Sequence, residues 1–403
     1  MYAYSQQANF TIEQDLGSGF ALSLAYNYNG GRHLNRPINA NTVRGDLLVR
    51  NWQAAVAAAS APPYNLQPGD RSFPSNPLFV GTADPAAFAP CGVGPAGPYI
   101  PAALVNFFRP SGFNPSLMNA YAPCVPLAAS ILQGNGLNAS CDPTTLANCV
   151  PFSDMDANYS NGSSVYHGFT ANLRKRFNKN YEFLASYTWS HAIDDSTDLQ
   201  SPLAPQDSFF PALERSNSTF DQRHRFVFSG LYQTGKLSGG GFGRGFLSNW
   251  TFAPIIEIAS GRPFLIITGE TTNFQFSPSS ARPNIVTSGT PNNACGPTIP
   301  SKYSPAGAFQ LPCYVDGFDG TLFSLDGNLT RNAGFKPWNV FNDLRVAKRI
   351  YFGERLSLDA MVDIFNIANK FNVADVNPLW TNAGRPTAAY DPRQFQFALK
   401  VNW

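Results

Sequence analysis

The feature that most constrains this chain is how its alternating stretches are spaced. Nine segments read as strands: residues 2–15, 20–30, 163–177, 181–190, 223–236, 249–260, 340–350, 354–367 and 393–403. In the second, Phe20, Leu22, Leu24, Tyr26 and Tyr28 alternate with Ala21, Ser23, Ala25 and Asn27. A two-residue period sends one set of side chains to each face of a strand. Gly17-Ser18-Gly19, Asn178-Lys179-Asn180 and Tyr351-Phe352-Gly353 close tight hairpins, and the Gly-rich Ser238–Gly245 serves as a flexible turn. Between these turns come long segments rich in Pro, Gly and Asn, so short and long connections alternate along the chain. A soluble sandwich has no reason to sort its loops by parity. A membrane-spanning barrel does, because short turns line one rim and long loops the other. The expectation is an all-β fold, an antiparallel transmembrane β-barrel of about nine strands. Residues 31–160 and 261–338 then form long extracellular loops.

The last strand carries the same argument to the final residue. Phe395, Phe397, Leu399, Val401 and Trp403 share one face, opposite Gln394, Gln396, Lys400, Asn402 and the small Ala398. An apolar face for lipid, a polar face for the lumen and an aromatic residue at the interface suit a closing barrel strand. A soluble β-protein that ends on a strand is the competing reading. Bacterial single-chain barrels have an even strand number, so at least one strand is expected before Met1.

Composition narrows the classes. Charged residues make up 13 % of the chain, against a usual value of about 25 %, while Phe numbers 33 and Tyr 16. Net charge is +2 and no long Lys/Arg run occurs, which argues against a nucleic-acid partner. The most apolar low-charge stretch, Ala54–Pro63, is too short for a membrane helix and ends in two prolines. A membrane reading therefore needs closed strands, since backbone groups cannot stay unpaired in lipid. Met1 opens onto polar and aromatic residues without a basic start or an apolar run, so a signal peptide is absent and an upstream part is expected.

Cys91, Cys124, Cys141, Cys149, Cys295 and Cys313 lie in loop-like stretches without a CxxC pair. Disulfides in an oxidising compartment and free thiols both remain open. His33, His167, His191 and His224 are scattered, and neither an HExxH nor a GxSxG pattern appears. No enzymatic activity, metal or cofactor is expected.

Several motifs occur in a fixed order: Tyr166-His167-Gly168 running into Leu173-Arg174-Lys175-Arg176-Phe177, then Ala185-Ser186-Tyr187-Thr188-Trp189-Ser190. Phe220-Asp221-Gln222-Arg223-His224-Arg225-Phe226, Ser260-Gly261-Arg262-Pro263-Phe264 and Arg282-Pro283-Asn284 follow. Phe352-Gly353-Glu354-Arg355-Leu356 and Phe365-Asn366-Ile367-Ala368-Asn369 precede the closing strand. This ordered set, across residues 160–403, resembles the C-terminal barrel of TonB-dependent outer-membrane receptors. The likeness is to the Oar-like group, whose N-terminal domain is carboxypeptidase-regulatory-like. The resemblance implies a bacterial outer-membrane receptor/transporter for a scarce oligosaccharide- or peptide-like solute, here as a C-terminal fragment without plug or signal peptide. Outer-membrane lipid, the barrel-assembly machinery and the TonB system would be its partners. Phe395, Phe397, Leu399, Val401 and Trp403 would form the assembly signal. A surface adhesion or structural barrel without transport, and a secreted carbohydrate-binding β-protein, are the alternatives.

Three groups of residues are candidate sites. Asp221, Arg223, His224 and Arg225 stand where a loop enters a strand; pairing that orients the strand start is favoured over ligand contact. Asp194, Asp195 and Asp198 could offer oxygens to calcium, but solvated loop charge is the favoured reading. Tyr64, Phe73, Phe107 and Phe108 are candidate ligand-facing aromatics of the long loops. Arg174, Arg176, Arg345, Arg349, Arg355, Asp343, Asp359 and Asp363 are expected on the lumen face.

Overall fold

The structure, a computed structural model, describes residues 2–39, 60–62, 65, 67, 156–178, 180–196, 205–206, 211–236, 242–269, 281–286, 294–315, 322–324, 327–353 and 355–403. Nine long strands among them form one sheet, each pairing antiparallel with its neighbour in sequence. They are β1 (Tyr4–Gly17), β2 (Phe20–Asn39), β3 (Asp156–Asn178), β4 (Tyr181–Asp194) and β5 (His224–Gln233). β6 (Trp250–Ala259), β7 (Asn339–Phe352), β8 (Leu356–Phe365) and β9 (Gln394–Asn402) complete it. Because the pairing is antiparallel and in chain order, the tight turns after β1, β3 and β7 share one end with the β5–β6 connection. β2, β4, β6 and β8 leave the sheet at the other end. Loop parity is thereby a property of the fold. No helix among the described residues is long and apolar enough to cross a membrane.

The tight turns use backbone that few residues tolerate. Gly17, Ser18 and Gly19 all have positive φ (78°, 51° and 81°), as does Asn180 (76°) after β3.

Register keeps the two faces separate across the whole sheet. Leu24, Ala171, Tyr187, Phe226, Ile258 and Val340 form one apolar row through six strands. Leu344, Ile364 and Phe395 form another through β7, β8 and β9. The opposite face carries Thr11, Ala25, Thr170, Thr188 and Arg225 in register, with Thr170 and Thr188 joined by a 3.3 Å hydrogen bond. On β9, Phe397 is 75 % and Leu399 74 % exposed, so no described residue packs against the apolar face there. β1 and β9 form the edges of the sheet and do not pair with one another.

Three aromatic residues lean over a glycine two positions ahead on the same face. A Cβ on Gly30 would come 2.5 Å from the Tyr28 hydroxyl, and one on Gly168 2.6 Å from that of Tyr166. A Cβ on Gly230 would sit 3.2 Å from the Phe228 ring.

The structure corrects the expected ends of β2. Gly30-Gly31 does not stop the strand; it marks a bulge. The register shifts between Gly31 and Leu34, His33 takes a φ of 53°, and pairing then continues from Leu34↔Gly162 to Asn39↔Asp156. Residues 31–39 and 156–162 are thus a ribbon that extends β2 and β3. The Gly-rich connection is corrected too, since Phe242–Leu247 forms a short α-helix. Lys348 Nζ donates to the carbonyls of Gly245 (3.0 Å), Phe246 (2.8 Å) and Ser248, which places a cation where a helix leaves its oxygens unpaired.

A second body of structure lies at the loop end. Residues 261–338 were expected to be irregular, yet they contribute short strands and most of a core. Phe264, Ile266, Phe309, Leu329, Val373 and Val376 bury their side chains together, and Ile285, Tyr303 and Trp380 pack around them. Pro263–Phe264 pairs with Gly334–Phe335, and Ala308–Val315 pairs with Ala294–Pro300 and Asn284–Ile285. Val373–Val376 pairs with Pro386–Ala389 in the segment between β8 and β9. Alternating strands dominated the sequence signal, and this small core has no period to announce it.

Candidate functional site

The loop end is where ordered polar side chains converge, and the Asp221 motif anchors it to the sheet. Asp221 is 1 % exposed. Its Oδ1 accepts the N–H of Ala192 on β4 (2.8 Å), and its Oδ2 accepts Arg223 Nε (2.7 Å). Arg223 reaches on to Asn217 Oδ1 (3.0 Å). The backbone of this motif is held on both sides: Ser190 N donates to Arg223 O, and Ser260 N to His224 O. Ser260 Oγ accepts His224 N at 3.0 Å. His224 faces the apolar side, where its ring stacks on Trp338 at 5.8 Å and its Nδ1 lies 2.8 Å from the Tyr187 hydroxyl. Arg225 faces the polar side and pairs with Glu257 at 2.9 Å. One short motif therefore places an acid in the loop packing, a ring on one face and a cation on the other.

Asp194 and Asp195 are corrected: they are neither solvated nor gathered as a cation site. They are 7 % and 8 % exposed and belong to a buried charge network. Asp194 pairs with Arg331. Asp195 accepts Ser163 N (2.9 Å) and Ser163 Oγ (2.9 Å), and Arg36 approaches it at 3.7 Å. Arg282 Nη1 donates to both carboxylate oxygens of Glu214, at 2.9 and 2.8 Å, and Glu214 lies 4.0 Å from Arg331. Burial lowers the pKa of the Arg36 guanidinium, and the nearby Asp195 and Glu214 oppose that shift. Side chains from the β2 ribbon, the β4–β5 segment and the β6–β7 segment meet here, because charges this deep must be paired. Gly327 makes room for the network: a Cβ there would lie 1.9 Å from Arg282 O. Asp198 lies outside the described residues, and among those described no cluster of metal-ligating side chains occurs.

The Phe365–Asn369 motif shapes the exit from β8. Asn366 and Asn369 have positive φ (50° and 51°). Asn366 N donates to Asp343 Oδ1 (2.9 Å), and its side chain bonds the Lys370 N–H and carbonyl.

Across the polar face, Arg345 pairs with Asp363 and Arg349 with Asp359, each at 2.6 Å and each directly across β7 and β8. Asn402 Nδ2 adds a 3.1 Å bond to Asp359. Arg174 falls on this face opposite Ala21 and Leu184, while Arg355 lies in the β7–β8 turn.

The apolar face holds features that alternation alone did not reveal. His167, His191 and His224 are scattered in sequence but share this face at the loop end, and His167 stands opposite His191. Tyr26 bonds His167 Nδ1 at 2.8 Å, Tyr28 stands opposite His167, and Trp189 stands opposite Phe169 on the same face. At the short-turn end, Lys175 lies over the rings of Phe20 (5.2 Å) and Tyr181 (5.3 Å), and Lys348 over Trp250 (5.2 Å). Both lysines bend back to backbone carbonyls, which lets an apolar face carry them. Phe395, Phe397, Leu399, Val401 and Trp403 sit on the exposed edge strand or end the chain beside it. Tyr64, Phe73, Phe107 and Phe108 lie outside the described residues. Cys295 and Cys313 fall on neighbouring strands, opposite Leu311 and Ser324 respectively.

A family model described as an outer membrane beta barrel domain matches residues 2–396. No curated protein matches the chain. Among solved structures, the chain is similar to FpvA of Pseudomonas aeruginosa, solved with a heterologous iron-loaded pyoverdine. The identity is 11 % and the TM-score 0.38, covering 99 % of this chain and 27 % of FpvA. It is also similar to the outer membrane transporter YddB from Escherichia coli, at 8 % identity and TM-score 0.37, covering 99 % of this chain and 32 % of YddB. The chain thus spans about a third or less of the length of these proteins.

Proposed function

The chain belongs to the outer membrane β-barrel domain family, and from that premise we propose that it forms part of the barrel wall of a TonB-dependent receptor of the Oar-like group. Such a receptor takes up a scarce oligosaccharide- or peptide-like solute across the bacterial outer membrane, where this chain resides. The observation that carries the reading is a single sheet with a lipid-compatible face and a hydrogen-bonded, charge-paired face, roofed at one end by interlocked loops. In this reading residues 31–160 and 261–338 face the outside. The solute meets the loop end and passes along the polar face, and TonB acts through a plug seated against that face. No bond is made or broken. The backbone edges of β1 and β9 need further strands, since open edges in lipid are costly. The chain accordingly serves as the C-terminal part of a larger barrel, inserted by the barrel-assembly machinery through its closing strand.

The test is uptake in cells lacking this protein, measured with labelled oligosaccharides and peptides, with and without a functional TonB. Loss of uptake of one solute class, matched by loss of TonB, supports the reading. Unchanged uptake together with altered cell–cell contact would instead favour an adhesion barrel.

A further inference from the structure

A cleft of about 310 Å³ opens on the polar face where the sheet meets the loops. Its floor comes from three adjacent strands: Arg225 on β5, Glu257 on β6, and Asn339 and Phe341 on β7. Its walls include Arg262, Lys336 and Tyr390 from the loops. The charges do not cancel. Arg225 pairs with Glu257 at 2.9 Å and Lys336 with Asp375 at 2.8 Å, whereas the exposed Arg262 side chain has no partner among the described residues. Among the described residues, one positive charge is left over at the wall. In the floor, Asn339 Oδ1 is buried and accepts no hydrogen bond among the described residues, which a native structure seldom tolerates.

The surroundings hold these groups firmly. Lys336 N donates to Arg262 O at 3.0 Å. A Cβ on Gly261 would lie 1.7 Å from Lys336 O, so only glycine lets the two segments approach and set Arg262 at the rim. Tyr390 packs edge-on against Phe341 at 5.0 Å and gives the cleft an apolar side. A guanidinium binds a carboxylate through two parallel bonds, and an orphaned amide oxygen requires a donor.

We propose that this cleft binds a carboxylate bearing an adjacent O–H or N–H group, with the carboxylate on Arg262 and the donor on Asn339 Oδ1. Acidic sugars and acylated amino acids share that chemistry. The inference rests on the transport reading, for which it names the solute class.

The experiment is equilibrium binding to the purified receptor that carries this chain, in lipid nanodiscs, with glucuronate, N-acetylglycine and uncharged glucose as probes. Far-UV circular dichroism and heat-modifiable migration confirm that each variant is folded. At least one of the two anions should bind at least tenfold more tightly than glucose. Arg262→Gln should cost that anion at least tenfold in Kd, and Asn339→Asp, which sets a second carboxylate beside it, a similar factor. Glucuronate alone would assign a sugar, and N-acetylglycine alone a peptide. Equal affinity for glucose, no binding of either anion, or a folded Arg262→Gln with unchanged Kd overturns the proposal. Anion binding with unchanged uptake in cells lacking the protein removes the transport reading and keeps the cleft. Lost uptake without anion binding does the reverse.

Discussion

The sheet and the loop cap solve opposite packing problems with the same chain. In the sheet, large apolar side chains such as Phe397 and Leu399 stand exposed, while charged pairs such as Arg349–Asp359 gather on the other face. In the cap, Phe309 and Ile266 have no exposed surface, and Arg282 is 3 % exposed against Glu214 at 4 %. Solvent explains the inversion. Lipid accepts apolar side chains but no open backbone, so a membrane sheet places its hydrophobic surface outside and satisfies its amides in ladders. Water drives the cap to build an inward core like that of a small soluble domain.

The comparison breaks most directly at the buried charges. Glu214→Leu leaves Arg282 without its carboxylate, and Arg331 loses a second anion. It should destabilise the cap by about 3–5 kcal/mol. Limited proteolysis should then cut the loop segments while the sheet keeps its heat-modifiable migration; loss of both together would show that the two regions fold as one unit. Phe309→Ala opens a cavity in the cap core and should cost a comparable ~3–5 kcal/mol, read as a lowered thermal midpoint for cap protection in hydrogen exchange.

On the lipid side, Leu399→Arg introduces a charge on the exposed apolar face of β9. In bilayers it should cost about 2–4 kcal/mol if Leu399 lies near the midplane. The same variant should leave cap proteolysis unchanged, and a cap defect would contradict the separation of the two regions.

The smallest expected effect concerns Asp375. The Lys336 ammonium, with the Val376 N–H, holds its carboxyl below the usual range. A depressed carboxylate stabilises the fold above its unfolded pKa, and that contribution disappears as pH falls through the folded value. Hydrogen exchange around Val373–Val376 should therefore rise only below about pH 4. In Asp375→Asn that acid-dependent step should be absent.

Much of the sheet is legible in the sequence. All nine strands read from the sequence appear in the sheet, although residues 2–15 lack a clean alternation, and the turns at Gly17-Ser18-Gly19 and Asn180 announced themselves through residue types that accept positive φ. The aromatic-x-glycine pairs at Tyr28, Tyr166 and Phe228 were also visible in the sequence and signal the strand face on which a ring needs room. Gly30-Gly31 misled because a glycine pair serves a bulge as well as a terminus. The charged loops misled more, since Asp194 and Asp195 read as solvated until arginines more than a hundred residues away are seen beside them.

The sequence by itself determined the strands, their two faces and the end of the sheet where the loops emerge. A two-residue period and the short reach of a turn are local, and local rules leave a local record. The tertiary structure alone decided which loops interlock, that Arg282 finds Glu214, and that Arg262 and Asn339 line the same cleft. Those contacts join residues far apart in the chain through burial and charge neutralisation, and neither force imposes a spacing along the sequence.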